Sequence, residues 1–237
     1  MSFIPYSQND LRWKNHVLGY GPALGTIGAF GCVNTVKAMI ATFAGYPTNP
    51  AQMDEAFTAK KIFTRDPTGT YDFLPDNALA LLWPTRFKFV GSYAGLRSDL
   101  IKTALPTPDT YAELHISTKT VPTHRVWVIG GTSTNWTIAD PWDGKVKSLS
   151  AYGGAVAVSK TILTKELPQP VPVKPAAPIV APPIDPPPVV VAPPVDPVII
   201  PVDPVVVTPP IVPVDPQPMD LWKAIVEFFR KFFATNK

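Results

Sequence analysis

The stretch that decides the fold runs His124-Arg125-Val126-Trp127-Val128-Ile129, then Gly130-Gly131-Thr132-Ser133-Thr134-Asn135, then Trp136-Thr137-Ile138-Ala139-Asp140. Two β-branched and aromatic runs flank a block of turn residues, which is the composition of an antiparallel hairpin. Centred on Thr132, a symmetric hairpin sets His124 opposite Asp140, Val126 opposite Ile138 and Val128 opposite Trp136. By the two-residue period of a strand these side chains share one face. A His and an Asp then meet at the open end of the hairpin, below an apolar stripe. A carboxylate in that position fixes the tautomer of an imidazole and stabilises its cation. A purely structural His–Asp pair is the alternative reading.

Upstream, the periodicity changes. Val33, Val36, Ile40 and Phe43 fall at helical spacing, so a helix is predicted from Cys32 to Phe43, ended by Gly45-Tyr46-Pro47. A second helix, entered through Asn49 and Pro50, is predicted to run through Phe57. Before Cys32 the glycines Gly19, Gly21, Gly25, Gly28 and Gly31 make the chain irregular. Further strands are predicted at Tyr111–Ile116 and over residues 154–163. The expected fold class is therefore α+β, with a helix carrying Cys32 packed on an antiparallel sheet carrying His124 and Asp140.

Cys32 is the one cysteine of the chain, which excludes an intrachain disulfide framework and a multi-Cys zinc site. It follows Gly31 at the predicted start of a helix, where unpaired N–H groups and the positive end of the dipole favour a thiolate. The competing reading is a small buried hydrophobe. A cysteine nucleophile needs a base, and the chain has three histidines. His16 lies in an irregular stretch and His115 on a strand face opposite Leu114 and Ile116, so both read as structural or surface residues. No His-Glu-x-x-His pair and no phosphate-binding loop is present, which argues against a catalytic zinc site and an NTPase. No metal or organic cofactor is implied. A net charge of +3 without a Lys/Arg block gives no reason to expect nucleic acid as a partner.

The rest of the chain has a different composition. Residues 168–218 hold 20 of the 31 prolines, around the loose unit seen at Ile184-Asp185-Pro186, Val195-Asp196-Pro197, Val202-Asp203-Pro204 and Val214-Asp215-Pro216. This is low complexity, and polyproline II is its natural state. At about 3.1 Å per residue such a stalk spans on the order of 150 Å. After Pro218 the residues Leu221, Trp222, Ile225, Val226, Phe228, Phe229, Phe232 and Phe233 fall on one helical arc, with Lys223, Glu227, Arg230 and Lys231 on the other side. This helix is too short and too charged to span a bilayer. A partner groove, self-association, a membrane surface and fold-back onto the chain's own domain all suit it. The expected organisation is a globular domain over residues 1–165, a proline-rich linker over 166–218 and an amphipathic helix over 219–237. Met1-Ser2-Phe3-Ile4-Pro5 lacks the basic and apolar regions of a signal peptide, so synthesis in a cytoplasm without a standard export signal is expected.

In order along the chain stand Tyr6-Ser7-Gln8-Asn9-Asp10 with Arg12-Trp13 and Leu18-Gly19, then Gly31-Cys32, then His124 with its valine-rich strand, then Asp140-Pro141-Trp142. This ordered set resembles a papain-like cysteine peptidase of the double-glycine type, related to the leader-cleaving domains of bacteriocin exporters. The resemblance covers roughly residues 4–160, except that 58–110 does not align. It implies Cys32 as nucleophile, His124 as general base and later acid, Asp140 as the group that orients His124, and Gln8 as a side-chain donor to an oxyanion hole beside the Cys32 N–H. The substrate class is then a peptide, or the peptide of peptidoglycan. Neither a membrane-spanning run nor an ATPase motif is read in this sequence, so a stand-alone domain outside the exporter context is expected. A hydrolase on a stalk with an aromatic terminal helix fits a bacteriophage lysis enzyme or virion-associated wall hydrolase. Two further classes remain open: a non-enzymatic structural or virion protein with the same fold, and an amide-handling transferase with the same residues.

Overall fold

The computed structural model describes residues 5–21, 25–65, 72–105, 107–118 and 123–168, all within one unit of the chain, Met1–Pro170. The proline-rich linker beyond 168 and the amphipathic helix over 219–237 lie outside the described residues.

Helices come first along the chain. A single turn, α1 (Ile27–Phe30), is entered through Thr26, whose hydroxyl accepts from the Ala29 N–H. Then α2 (Cys32–Phe43) spans the residues its periodicity predicts. From Asn34 to Ala41 every residue of α2 is buried, so this helix is enclosed on all sides. Next, α3 (Pro50–Ala59) opens with a full capping box: the Asn49 side chain accepts from Gln52 N–H at 3.0 Å and the Gln52 side chain accepts from Asn49 N–H at 3.1 Å. A two-stranded ribbon follows, β1 (Thr64–Arg65) and β2 (Asp72–Phe73). The segment that did not align contributes α4 (Ala78–Leu82), β3 (Phe87–Ala94) and α5 (Ser98–Ala104). Then come β4 (Thr110–Ile116), β5 (His124–Thr132), β6 (Asn135–Asp140), β7 (Lys145–Ser148), two 3₁₀ turns (Leu149–Tyr152 and Gly154–Ala157) and β8 (Val158–Glu166).

Six strands form one antiparallel sheet in the order β3-β8-β4-β5-β6-β7. Alternation sorts its side chains onto two cores. Tyr111, Trp127 and Ala139 pack with Val36, Met39 and Ile40 of α2 and with Phe57 and Phe87. Ala112, Leu114, Val126, Val128, Trp136 and Ile138 pack with Ile101 and Ala104 of α5 and with Leu149 and Val158. The class is thus α+β, with helices on both faces of the sheet.

Two expectations need correction. The hairpin turn is the two-residue loop Ser133-Thr134, since Thr132 pairs with Asn135. Gly131 enters it at φ +104°, and a Cβ there would lie 2.5 Å from the Asn135 carbonyl oxygen. An extra residue, Ile129, bulges between the Val128↔Ile138 and Gly130↔Thr137 pairs. Beyond the bulge Val128 faces Ile138 and not Trp136, a shift of two residues from the symmetric register. An even shift preserves the face, so His124 and Asp140 become diagonal neighbours in place of a directly opposed pair. The predicted strand over 154–163 also starts late: Gly153 and Gly154 have φ of +90° and +67°, and the chain turns as a 3₁₀ helix before extending at Val158.

Candidate active site

Three of the four candidate residues meet where the N-terminus of α2 approaches the ends of β5 and β6. His124 Nε2 lies 2.8 Å from Asp140 Oδ1. The Cys32 thiol stands close enough to this imidazole for the two groups to shift each other's titration. Cys32 is partly exposed, His124 is 5% exposed and Asp140 is fully buried. No side chain caps the first turn of α2, whose N-terminal end is the positive end of the helix dipole. Gly31 has a steric role: a Cβ there would stand 2.5 Å from the Ile27 carbonyl oxygen and 2.7 Å from its Cα. The α1–α2 junction that presents Cys32 closes only over a glycine.

Asp140 is saturated. Oδ1 accepts from His124 and from the Trp142 N–H at 2.9 Å. Oδ2 accepts from Lys147 Nζ at 2.6 Å and from the Tyr152 hydroxyl. Burial alone would raise this carboxyl, but the hydrogen bond and charge of His124, with Lys147 and Tyr152, hold it well below the usual carboxylate range. For His124, burial disfavours the cation. The hydrogen bonds to Asp140 and Cys32 outweigh it and raise the imidazole to about 9. Burial also pushes the Cys32 thiol up. The hydrogen bond and charge of His124, with the Arg125 backbone N–H and guanidinium, overcome that and bring the thiol below its ordinary value. All three directions favour one state, a thiolate facing an imidazolium held by a carboxylate.

Gln8 arrives by a different route. The loop after β6 pins its segment: Gln8 N–H donates to Pro141 O at 2.6 Å, Ser7 Oγ to Trp142 O at 3.0 Å and Asn9 Nδ2 to Trp142 O at 2.8 Å. Gly144, at φ +66°, comes so close that a Cβ there would lie 3.0 Å from Ser7 N. The Gln8 side chain is buried, and its Nε2 donates to Gly28 O at 2.9 Å. That bond uses one of the two amide protons and leaves the other.

Of the other histidines, His16 Nε2 lies 3.0 Å from Asp54 Oδ2, while His115 Nε2 lies 2.7 Å from Thr123 Oγ1. Sequence reasoning missed a second ionic cluster. Fully buried Lys37 of α2 pairs with fully buried Glu113 of β4 and donates to Asp76 O at 3.0 Å. Arg125 reaches Asp76 Oδ1 at 2.8 Å and Glu113 Oε2 at 3.5 Å, and Lys160 Nζ reaches Asp76 Oδ2 at 2.9 Å. This cluster ties α2, five residues after Cys32, to the strand residue after His124. Lys147 and Tyr152 were missed as well. The signal for Lys147 was the turn composition of Pro141–Gly144, which makes β6 and β7 a hairpin and sets Lys147 diagonal to Asp140.

Among the described residues no group of three or more His, Cys, Asp or Glu is placed to hold a metal ion, and no helix is long and apolar enough to cross a membrane. The chain matches no known family model, and no curated protein is significantly similar to it.

Proposed function

We propose that the chain is a cysteine peptidase of papain-like fold and double-glycine type, with Cys32, His124, Asp140 and Gln8 as its working residues. The observation that carries this reading is the single imidazole bonded to a buried, saturated carboxylate and electrostatically coupled to a thiol at a helix N-terminus without a side-chain cap.

The Cys32 thiolate attacks the carbonyl carbon of a peptide or amide bond. The new oxyanion takes hydrogen bonds from the Cys32 N–H and the second amide proton of Gln8. The His124 imidazolium gives its proton to the leaving amine, the C–N bond breaks, and an acyl-thioester remains. Water, losing a proton to His124, then attacks the thioester carbon, the C–S bond breaks, and the pair is restored. Asp140 stays ionised throughout. A stalk over 166–218 and an amphipathic helix over 219–237 would tether this domain to a partner, to a second copy or to a membrane surface, as suits a phage lysis or virion-associated wall hydrolase acting on peptides.

The test is the rate of Cys32 alkylation by iodoacetamide against pH, read by intact mass, in the wild type and in His124→Ala. One cysteine makes the reading unambiguous. The expected result is a reactive thiolate well below pH 8.5, the ordinary thiol value of about 8.5, and its loss in His124→Ala. A slow thiol indifferent to His124 would overturn the peptidase reading and favour a non-enzymatic structural protein of the same fold.

A further inference from the structure

We propose that Lys147 and Tyr152 are positioning residues for the Cys32–His124 pair: they hold the second oxygen of Asp140, draw off part of its charge, and leave the first oxygen aimed at His124. This deepens the peptidase reading and rests on it.

The geometry is specific. A carboxylate with one partner can turn about its last bond and exchange its oxygens. Asp140 cannot, because each oxygen already takes two donors from different directions. Two of those donors come from outside the hairpin that carries the pair: Lys147 from β7 and Tyr152 from the 3₁₀ turn that follows it. The Tyr152 ring also lies against His124, centroid to centroid 5.6 Å, and Lys147 Nζ stands 5.7 Å from the centre of that ring. Tyr152 therefore touches both members of the His–Asp pair. Lys147 is in turn steadied by Asp143 at 3.1 Å.

The chemical consequence follows from competition. Negative charge on Asp140 stabilises the imidazolium, and an imidazolium held too firmly releases its proton poorly to a leaving amine. A cation and a hydroxyl on the far oxygen reduce the charge that His124 feels. The charged and titratable groups facing His124 are Cys32 of α2, Asp140 of β6 and Tyr152. Lys147 and Asp143 stand behind Asp140, Arg125 follows His124 on its own strand, and His115, which burial holds toward its neutral form, lies on the neighbouring strand β4.

The experiment is a titration of the three histidine Cε1–Hε1 signals by NMR in the full chain, with His124 assigned by its loss in His124→Ala. It is run on the wild type, Lys147→Met, Lys147→Arg and Tyr152→Phe, with Cys32 alkylation measured in parallel. Lys147→Met is expected to raise the His124 midpoint by up to about one pH unit, Tyr152→Phe to raise it by less, and Lys147→Arg to restore it. A merely structural role would lower stability and leave the midpoint in place. If the wild type shows the reactive thiolate but both variants titrate as it does, the positioning role is overturned and the peptidase reading stands. If the wild-type His124 titrates as an ordinary imidazole beside an ordinary thiol, both fall.

Discussion

Asp140→Asn keeps the shape of a fully buried side chain and removes its charge. The native carboxylate accepts from His124, the Trp142 N–H, Lys147 and Tyr152. An amide cannot serve all four, because one of its ends is itself a donor. With its oxygen toward His124, the Asn NH₂ confronts Lys147 and Tyr152. Flipped, it confronts His124 and demands the wrong tautomer. Either way the imidazolium loses support. Its rise from 6.5 to about 9 corresponds to about 3 kcal/mol in favour of the cation. The Asp140 hydrogen bond is the first of the contributions that raise it, so a loss on the order of one pH unit is expected to go with the charge. Below the thiol's titration, that loss cuts the thiolate population about tenfold. A more basic thiolate is intrinsically a better nucleophile, which returns about a factor of three. Ionisation wins, and the net effect is alkylation about threefold slower. The assay is iodoacetamide alkylation as a function of pH, compared on the acid side of the wild-type midpoint and read by intact mass, with folding checked by near-ultraviolet circular dichroism. A folded variant that reacts at the wild-type rate would refute the link from the Asp140 carboxylate to the state of the thiol.

Gly31→Ala should destabilise by about 1–3 kcal/mol, because its new methyl meets the Ile27 backbone at 2.5 Å and no rotamer can relieve that; calorimetry would show Tm lower by several degrees. Lys37→Met leaves the buried Glu113 facing Arg125 at 3.5 Å and should cost about 3–5 kcal/mol in urea denaturation, while Lys37→Met with Glu113→Leu should recover most of that loss. His115 is pushed down to about 4 by burial and by the charges of Arg125 and Lys160. Its folded value lies below its unfolded one, so its contribution is present above pH 6.5 and is lost as pH falls from 6.5 toward 4. Thermal melts of the wild type should therefore decline through that window, and His115→Gln should flatten the decline.

How much was legible depended on whether a feature was periodic. The start and end of α2 and the entry of α3 through Asn49 and Pro50 are local, and propensity and turn-forming side chains set them within a few residues. The apolar stripe of Val126, Val128, Trp136 and Ile138 was legible too, because strand alternation alone puts these residues on one face, and they do share one core. The register was not. It depended on a bulge at Ile129 and a glycine at φ +104°, and the same glycine-rich composition suits several turn lengths. The face of His124 and Asp140 survived because the error was even.

The sequence by itself determined the α+β class, the helix that carries Cys32, the hairpin that carries His124 and Asp140, and the contrast between this domain and the proline-rich chain after it. Each rests on short-range periodicity or composition, which the chain carries whatever its neighbours do. Only the tertiary structure decided that Lys147 and Tyr152 close around Asp140, that Gln8 is tied to the loop after β6, and that Lys37, Glu113, Arg125 and Asp76 gather between helix and sheet. Those contacts join residues up to 135 positions apart in the hydrogen bond from Ser7 to Trp142. A charge has no periodic signature: it becomes a partner only when burial removes the water that would otherwise satisfy it.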